Sequence, residues 1–270
     1  MSIYISNLVC GIKDGVKNIA LIEEIVRHDP QSSLGIELFV HTHIREYKKE
    51  IKELVPVLRG RKITFHGPFL GVEATSKPGT SGYDNFIESY LFAYELGKEF
   101  GSKHIVFHTN ERRISPEDKK DLQEISRQNI RTLLDLSAKY GIQLLIENIP
   151  IKGVPLYDME EYIGLFDEFP EAGCIIDIGH VHLAGWDMET IVSRLQSRIQ
   201  AYHIHNNDSI QDSHCRMQDG TLNLDDFLRI YNQYTPEAEL ILEYSDEQGI
   251  SKEDIIEDIN YLRQSTKNRP

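Results

Sequence analysis

The sequence predicts an α/β protein built as a single (β/α)8 TIM barrel, and three observations carry that expectation. Eight short β-type runs alternate with eight longer amphipathic stretches from end to end, the pattern of repeated βα units around a parallel sheet. No Gly/Ser-rich linker interrupts them, so residues 1–270 are expected to form one domain. Apolar runs also end in charge or imidazole: Ile63-Thr-Phe-His66, His104-Ile-Val-Phe-His108, Leu144-Leu-Ile-Glu147, Cys174-Ile-Ile-Asp177 and Leu240-Ile-Leu-Glu243. In parallel α/β folds the carboxyl edge of the strands is where ligands bind.

The strands are expected at 3–8, 34–40, 62–66, 103–108, 142–147, 173–178, 199–204 and 239–244. Helices with apolar residues at three-to-four spacing are expected at about 14–28, 43–58, 83–100, 116–140, 157–168, 187–197, 223–233 and 251–265. Ser115-Pro-Glu-Asp118 reads as a helix start, and Ser251-Lys-Glu-Asp254 as a capping box with Asp in place of the usual Glu. Gly101 and Gly141 stand where a left-handed residue ends a helix before a strand. The loops after strands three and seven, 67–82 and 206–222, are the long ones, and function is normally built on that edge. The polar tail after Tyr261 is expected to fray.

Composition narrows the class of partner. Twenty-nine basic against 43 acidic residues give a formal charge of −14, which repels nucleic acid and anionic membranes. No apolar run approaches the roughly 20 residues that span a bilayer, and the start, Met-Ser-Ile-Tyr, lacks a basic, then apolar leader; a soluble cytoplasmic chain is expected. Cys10, Cys174 and Cys215 are scattered and odd in number, which argues for core or loop thiols over a disulfide or thiolate framework.

The strand ends carry the chemistry. Glu147, Asp177 and Glu243 are expected to point into the barrel mouth together with His66, His108 and His203. Three carboxylates in a confined space raise one another's pKa, and burial disfavours each charged form, so such a cluster needs cations to stay ionised. A divalent metal answers this, and mixed oxygen and imidazole ligation suits Zn²⁺, Mn²⁺, Co²⁺ or Fe²⁺ over Ca²⁺. A second group follows strand seven in His203-Ile-His-Asn-Asn-Asp208 and Asp212-Ser-His214; strand alternation puts His203 and His205 on one face. A lone strand-end His is ordinarily a core or surface residue. The joint occurrence of His66, His108, Glu147, Asp177, His180, His203, Asp212, His214 and Glu243 is what argues for a site.

With those residues in place, the chain resembles the xylose-isomerase-like barrel superfamily of sugar or sugar-phosphate isomerases and epimerases and apurinic endonucleases. The resemblance runs through Glu147 in Ile-Glu-Asn, Asp177-Ile-Gly-His180, His203 in His-Ile-His, Asp212-Ser-His214 and Glu243. Likeness to the one-metal ketose epimerases implies Glu147, Asp177, His203 and Glu243 as ligands, with His180 near the substrate. Likeness to the endonuclease branch, which holds three zinc ions, implies a fuller set that adds His66, His108, His180, Asp212 and His214. The implied cofactor is therefore divalent Zn, Mn or Co, one to three ions.

The reading that follows is a metal-dependent isomerase or epimerase of a small sugar or sugar phosphate, in which Glu147 and Glu243 exchange a proton through an enediolate stabilised by the metal. The alternative is a multinuclear zinc phosphodiesterase of the endonuclease type acting on abasic DNA. Against it, the strand-end loops offer only Lys77, Arg112, Arg113, Lys152 and Arg216 to neutralise phosphates, and no wedge-bearing loop to extrude a nucleotide. His180, Arg216, Glu37 and Trp186 are the candidate substrate contacts, Arg216 for a phosphate or carboxylate and Trp186 as an apolar wall. His41 and His43 are weaker candidates for sugar hydroxyls, and His182 is left without a role. A homo-oligomer is compatible with this fold.

Overall fold

The structure is a computed structural model that describes residues 2–12, 16, 18–149 and 153–266. Eight parallel strands follow one another in chain order, β1 through β8, as a closed barrel. They are β1 (Ile3–Ser6), β2 (Leu34–Phe39), β3 (Lys62–His66), β4 (His104–His108), β5 (Gln143–Glu147), β6 (Gly173–Asp177), β7 (Ile199–Ile204) and β8 (Glu239–Leu242). Nine α-helices lie among the described residues: α1 (Ala20–Arg27), α2 (Tyr47–Leu58), α3 (Ser81–Phe100), α4 (Lys119–Tyr140), α5 (Met159–Glu168), α6 (Ile178–Ala184), α7 (Met188–Leu195), α8 (Leu224–Tyr234) and α9 (Lys252–Ser265). No helix of the described residues is long and apolar enough to cross a membrane.

The chain divides into two compact bodies, residues 1–37 with 176–270 and residues 38–175. In the first, β1 pairs with β2 in the register Ser6 to Glu37 and with β8 in the register Ile5 to Leu242, and β7 pairs with β8. Helix α1 is tied to α9 by the Lys252–Glu24 pair at 2.6 Å and by Arg263, whose Nη2 reaches Asp29 Oδ1 at 2.8 Å. In the second body, β4 pairs with β5 in a register that puts His108 beside Glu147. Tyr162 on α5 donates its hydroxyl to the Ile146 carbonyl at 2.9 Å, which fixes that helix against β5. The strands are almost wholly buried, and the core of each body is their aliphatic and aromatic side chains.

Several expectations shift for local reasons. Strand β1 stops at Ser6, whose hydroxyl accepts the Leu8 amide and opens a 3₁₀ turn over Asn7–Cys10. The first helix begins at Ala20; residues 14, 15 and 17 of the stretch expected to be helical lie outside those described. Ser115 holds the Asp118 amide and carboxylate, but regular helix starts one turn later, at Lys119. The capping box Ser251/Asp254 forms as read, and Gly101 and Gly141 end α3 and α4 at φ +72° and +67°. The expected fray after Tyr261 is corrected: α9 runs on to Ser265, with Leu262 and Arg263 buried. Residues 267–270 are outside those described. Helix α6 was not expected; Asp177 ends β6 and at once caps this extra helix.

Candidate metal centres

In the body formed by the chain's two ends, the site grows from Asp177. Its Oδ1 accepts the His180 amide at 2.8 Å, and the turn this starts brings His180 Nε2 to 3.6 Å from Asp177 Oδ2 and 3.2 Å from Asp212 Oδ2. Gly179 makes the turn possible: a Cβ there would stand 2.1 Å from His205 Cε1. The His205 ring fills that space, with Nε2 3.0 Å from each oxygen of Asp177 and its plane stacked on His214 at a centroid distance of 3.8 Å. His214 sits at φ +44°, a conformation rare for a residue with a side chain. Its Nδ1 donates to the Glu243 carbonyl at 3.0 Å, leaving Nε2 3.4 Å from Asp212 Oδ2. The loop bearing Asp212 and His214 is stapled by two buried amides. Asn206 spans the carbonyls of Met217 and Leu222 and the amides of Asn207 and Leu222, and Asn207 donates to the Gly179 carbonyl at 2.8 Å.

Charge follows this geometry. Burial works against ionisation of Asp212, but His180 and His214 outweigh it and hold the carboxyl well below its usual range. Burial likewise opposes a charge on His214, yet Asp212 and Glu243 push it up to about 9. For His205 burial prevails and lowers its pKa, so this imidazole favours the neutral form that binds metals.

In the body of residues 38–175, His66 ends β3 and donates Nδ1–H to the Gly67 carbonyl at 2.9 Å. His108 ends β4 and gives Nδ1 to Glu111 Oε1 at 2.9 Å. Both Nε2 atoms face inward, 3.1 Å from each other and 3.5 and 3.0 Å from Glu147 Oε2. Burial disfavours a charge on His108, but Glu147 and Glu111 together raise its pKa to about 10. Phe39 stacks on His66 at 4.2 Å and 6°, and half-buried Phe69 packs against His66 and His108 at 5.1 and 4.9 Å. This cluster thus has an aromatic lining.

These donor sets fit a divalent cation. A carbonyl can only accept a hydrogen bond, so the His66 nitrogen bonded to one carries the hydrogen and its other nitrogen offers a lone pair inward. His214 is oriented by a carbonyl in the same way, and His108 by a carboxylate; outward donation of this kind is the usual companion of metal-ligating histidine. Two imidazole lone pairs and a carboxylate oxygen within 3.0–3.5 Å repel one another unless a proton or a cation lies among them. In the first body His180, His205, Asp212 and His214 form one convergent set, and Asp177, His205 and Glu243 another.

The structure sorts the expected residues. His66, His108 and Glu147 come together; so do Asp177, His180, Asp212, His214 and Glu243. His203 is also buried there, but its Nε2 is turned to Glu37 Oε1 at 3.2 Å, with Nδ1 3.6 Å from Glu243 Oε2. The closest imidazole on Asp177 is instead His205, absent from the expected ligand set. The His-x-His spacing was the signal, since both rings share one strand face and the later one lies nearer the strand's end. Glu37, expected at substrate, is fully buried against His203. Arg216 requires a correction: Asp254, Glu257 and Asp258 of α9 hold its guanidinium at 3.0, 2.6 and 2.8 Å, so it is not turned toward a substrate anion. Trp186 is half-buried between α6 and α7. His182 bonds Thr221 at 2.8 Å, and His43, Lys77, Arg112 and Arg113 are exposed; Lys152 lies outside the described residues. Burial lowers the pKa of His41 to about 3.

Comparison with known proteins agrees with this fold. The family model of the xylose isomerase-like TIM barrel matches residues 33–265, and the chain belongs to that family. A D-tagatose 3-epimerase-like protein shares 19% identity, covering 98% of this chain and 99% of its own, with a TM-score of 0.77. The TTHB071 protein from Thermus thermophilus, soaked with ZnCl2, shares 18% over 98% of this chain at a TM-score of 0.73, with 98% of its own length covered. Endonuclease IV from the same organism shares 16% over 99% of both at 0.68. No curated protein matches the sequence.

Proposed function

We propose that the protein is a divalent-metal-dependent isomerase or epimerase acting on a small unphosphorylated sugar or polyol. The observation that carries the substrate class is the placement of Arg216. It is the only Lys or Arg in the β7–α8 loop, and α9 holds it in a three-carboxylate clamp. The loop from Glu243 to Ser251 contains no basic residue at all. A phosphate would meet carboxylates there with no free Lys or Arg to pair it, whereas neutral hydroxyls find acceptors and imidazole donors in quantity.

The residues that would hold metal are Asp177, Glu243 and His205 or His203 in one set, His180, Asp212 and His214 beside them, and Glu147 with His66 and His108. When bound, a divalent ion polarises substrate oxygens and offsets the charge of the carboxylates. Glu243 is assigned to proton transfer at carbon. Its amide donates to the Ile204 carbonyl at 3.1 Å and its own carbonyl accepts from His214, which holds the backbone on both sides of the carboxylate. Glu147 is the second proton-transfer carboxylate of this reading, and His180 meets a substrate hydroxyl or a metal. Loss of such a group costs roughly 10²–10⁴-fold in rate. Glu243→Gln and Glu147→Gln are each expected to lose activity by that order on a ketose panel with Zn²⁺, Mn²⁺ or Co²⁺ supplied. Full activity in both variants would sink the assignment.

A second reading is favoured by one observation, the supply of donors beyond the needs of a single ion, above all His180, His205, Asp212 and His214. Two-metal sites are a common arrangement for phosphodiester hydrolysis. Three zincs per chain together with cleavage of abasic-site DNA would select it, whereas one exchangeable ion with ketose turnover would reject it.

A further inference from the structure

We infer that Glu111 and Glu73 are positioning residues which hold the His108 imidazole by Nδ1 and aim its Nε2 at Glu147 and His66. Neither carboxylate is at a strand end. Glu73 lies in the loop after β3 and takes four hydrogen bonds: Oε1 accepts the Thr75 amide at 2.9 Å and hydroxyl at 2.7 Å, while Oε2 accepts the amides of Glu111 and Arg112 at 3.3 and 2.9 Å. Its carboxylate thereby stitches the β3–α3 loop to the β4–α4 loop and fixes the backbone at Glu111. From there the Glu111 side chain reaches back three residues, and Oε1 accepts Nδ1–H of His108 at 2.9 Å.

The consequence lies on the other side of the ring. With Nδ1–H held by Glu111, Nε2 faces Glu147 Oε2 and His66 Nε2, at 3.0 and 3.1 Å, where it bears a proton in the metal-free ring and would turn a lone pair to a cation that replaced that proton. The Gly67 carbonyl orients His66 in the same sense. The neighbouring histidine therefore uses a backbone acceptor, whereas His108 depends on a side chain that substitution can remove. A carboxylate on the outer nitrogen also makes the ring more basic as a donor, and loss of such an outer partner typically weakens metal binding 10- to 100-fold.

This inference rests on the metal-holding reading only for its second readout. In protein prepared without metal, ¹⁵N–¹H spectra of histidine side chains report whether the His108 Nδ1–H is held in a hydrogen bond; competition with a chromogenic chelator then gives zinc affinity. Wild type is expected to show a downfield, slowly exchanging Nδ1–H, and Glu111→Ala to lose it with zinc affinity lowered 10- to 100-fold. Glu111→Gln, whose carbonyl oxygen still accepts, is expected to restore that Nδ1–H signal, and Glu73→Ala to fall between. An unchanged His108 Nδ1–H signal in Glu111→Ala would overturn the inference, as would a Glu111→Gln spectrum no different from that of Glu111→Ala. If wild type binds no zinc while the Nδ1–H signals respond as expected, the positioning role stands and the metal reading fails.

Discussion

At the scale of single residues, Gly179 and His203 concentrate the cost of change. The Cβ of Gly179→Ala would fall on the His205 ring, at 2.1 Å from Cε1, and backbone on both sides is held by the Asp177 cap and by Asn207. The ring must move; overpacking of this kind costs about 1–3 kcal/mol. Chemical denaturation should show that loss together with weaker zinc binding, and unaltered zinc binding would remove His205 from the ligand set. His203→Ala acts differently. It leaves Glu37 buried without its imidazole, and an uncompensated buried carboxylate costs roughly 3–5 kcal/mol. His203→Ala with Glu37→Gln should recover much of that loss, measured by the same denaturation. Strand-end chemistry was legible from the sequence because a strand's side chains alternate with a period of two. That rule places His203 and His205 on one face and cannot rank them by depth, so it points to His203 and leaves out His205, the imidazole nearer Asp177 at 3.0 against 3.8 Å.

At the scale of elements, the β7–α8 loop and the α1–α9 pairing carry separate predictions. Asn206→Ala removes the side chain that spans Met217, Leu222 and Asn207, leaving buried backbone groups unpaired at about 1–3 kcal/mol. Because that loop carries Asp212 and His214, zinc affinity should fall with stability, whereas a comparable loss from the α1–α9 seam should leave zinc affinity unchanged. At that seam burial opposes ionisation of Asp29, but the amides of Ser33, Gln31 and Leu34 and the Arg263 guanidinium outweigh it and lower its pKa. A depressed carboxyl pKa stabilises the fold above the unfolded value and loses that contribution as pH falls through the folded value. The stability gap between wild type and Asp29→Asn should therefore be full at neutral pH and shrink below about pH 4. A gap independent of pH would contradict the ionised pairing. Helix ends with their own chemistry, such as Gly101, Gly141 and Ser251 with Asp254, could be read directly. Helix α6 could not, since Asp177 serves as strand terminus, helix cap and acid within one short stretch.

At the scale of the whole molecule, the alternation of runs specified a parallel barrel because each βα unit buries its strand and returns by a helix. Charge balance was equally open to reading, and −14 over the chain remains the reason to look for a small neutral substrate before a polyanion. What composition and spacing could not give was the fate of particular cations: Arg216 stands two residues after His214 in sequence, yet Asp254, Glu257 and Asp258 compete for it from a helix about 40 positions away. Metal at about 100 times its dissociation constant should stabilise the protein by about 2.7 kcal/mol, and chelation should reverse this in a thermal melt.

The account is tested most directly by proton exchange in deuterated water. Metal-reconstituted protein incubated with a panel of unphosphorylated ketoses is expected to place deuterium on a carbon next to the carbonyl of one of them, and Glu243→Gln to suppress it by at least about 10²-fold. No exchange on any sugar of the panel from the metal-loaded wild type, or exchange undiminished in Glu243→Gln, would contradict it.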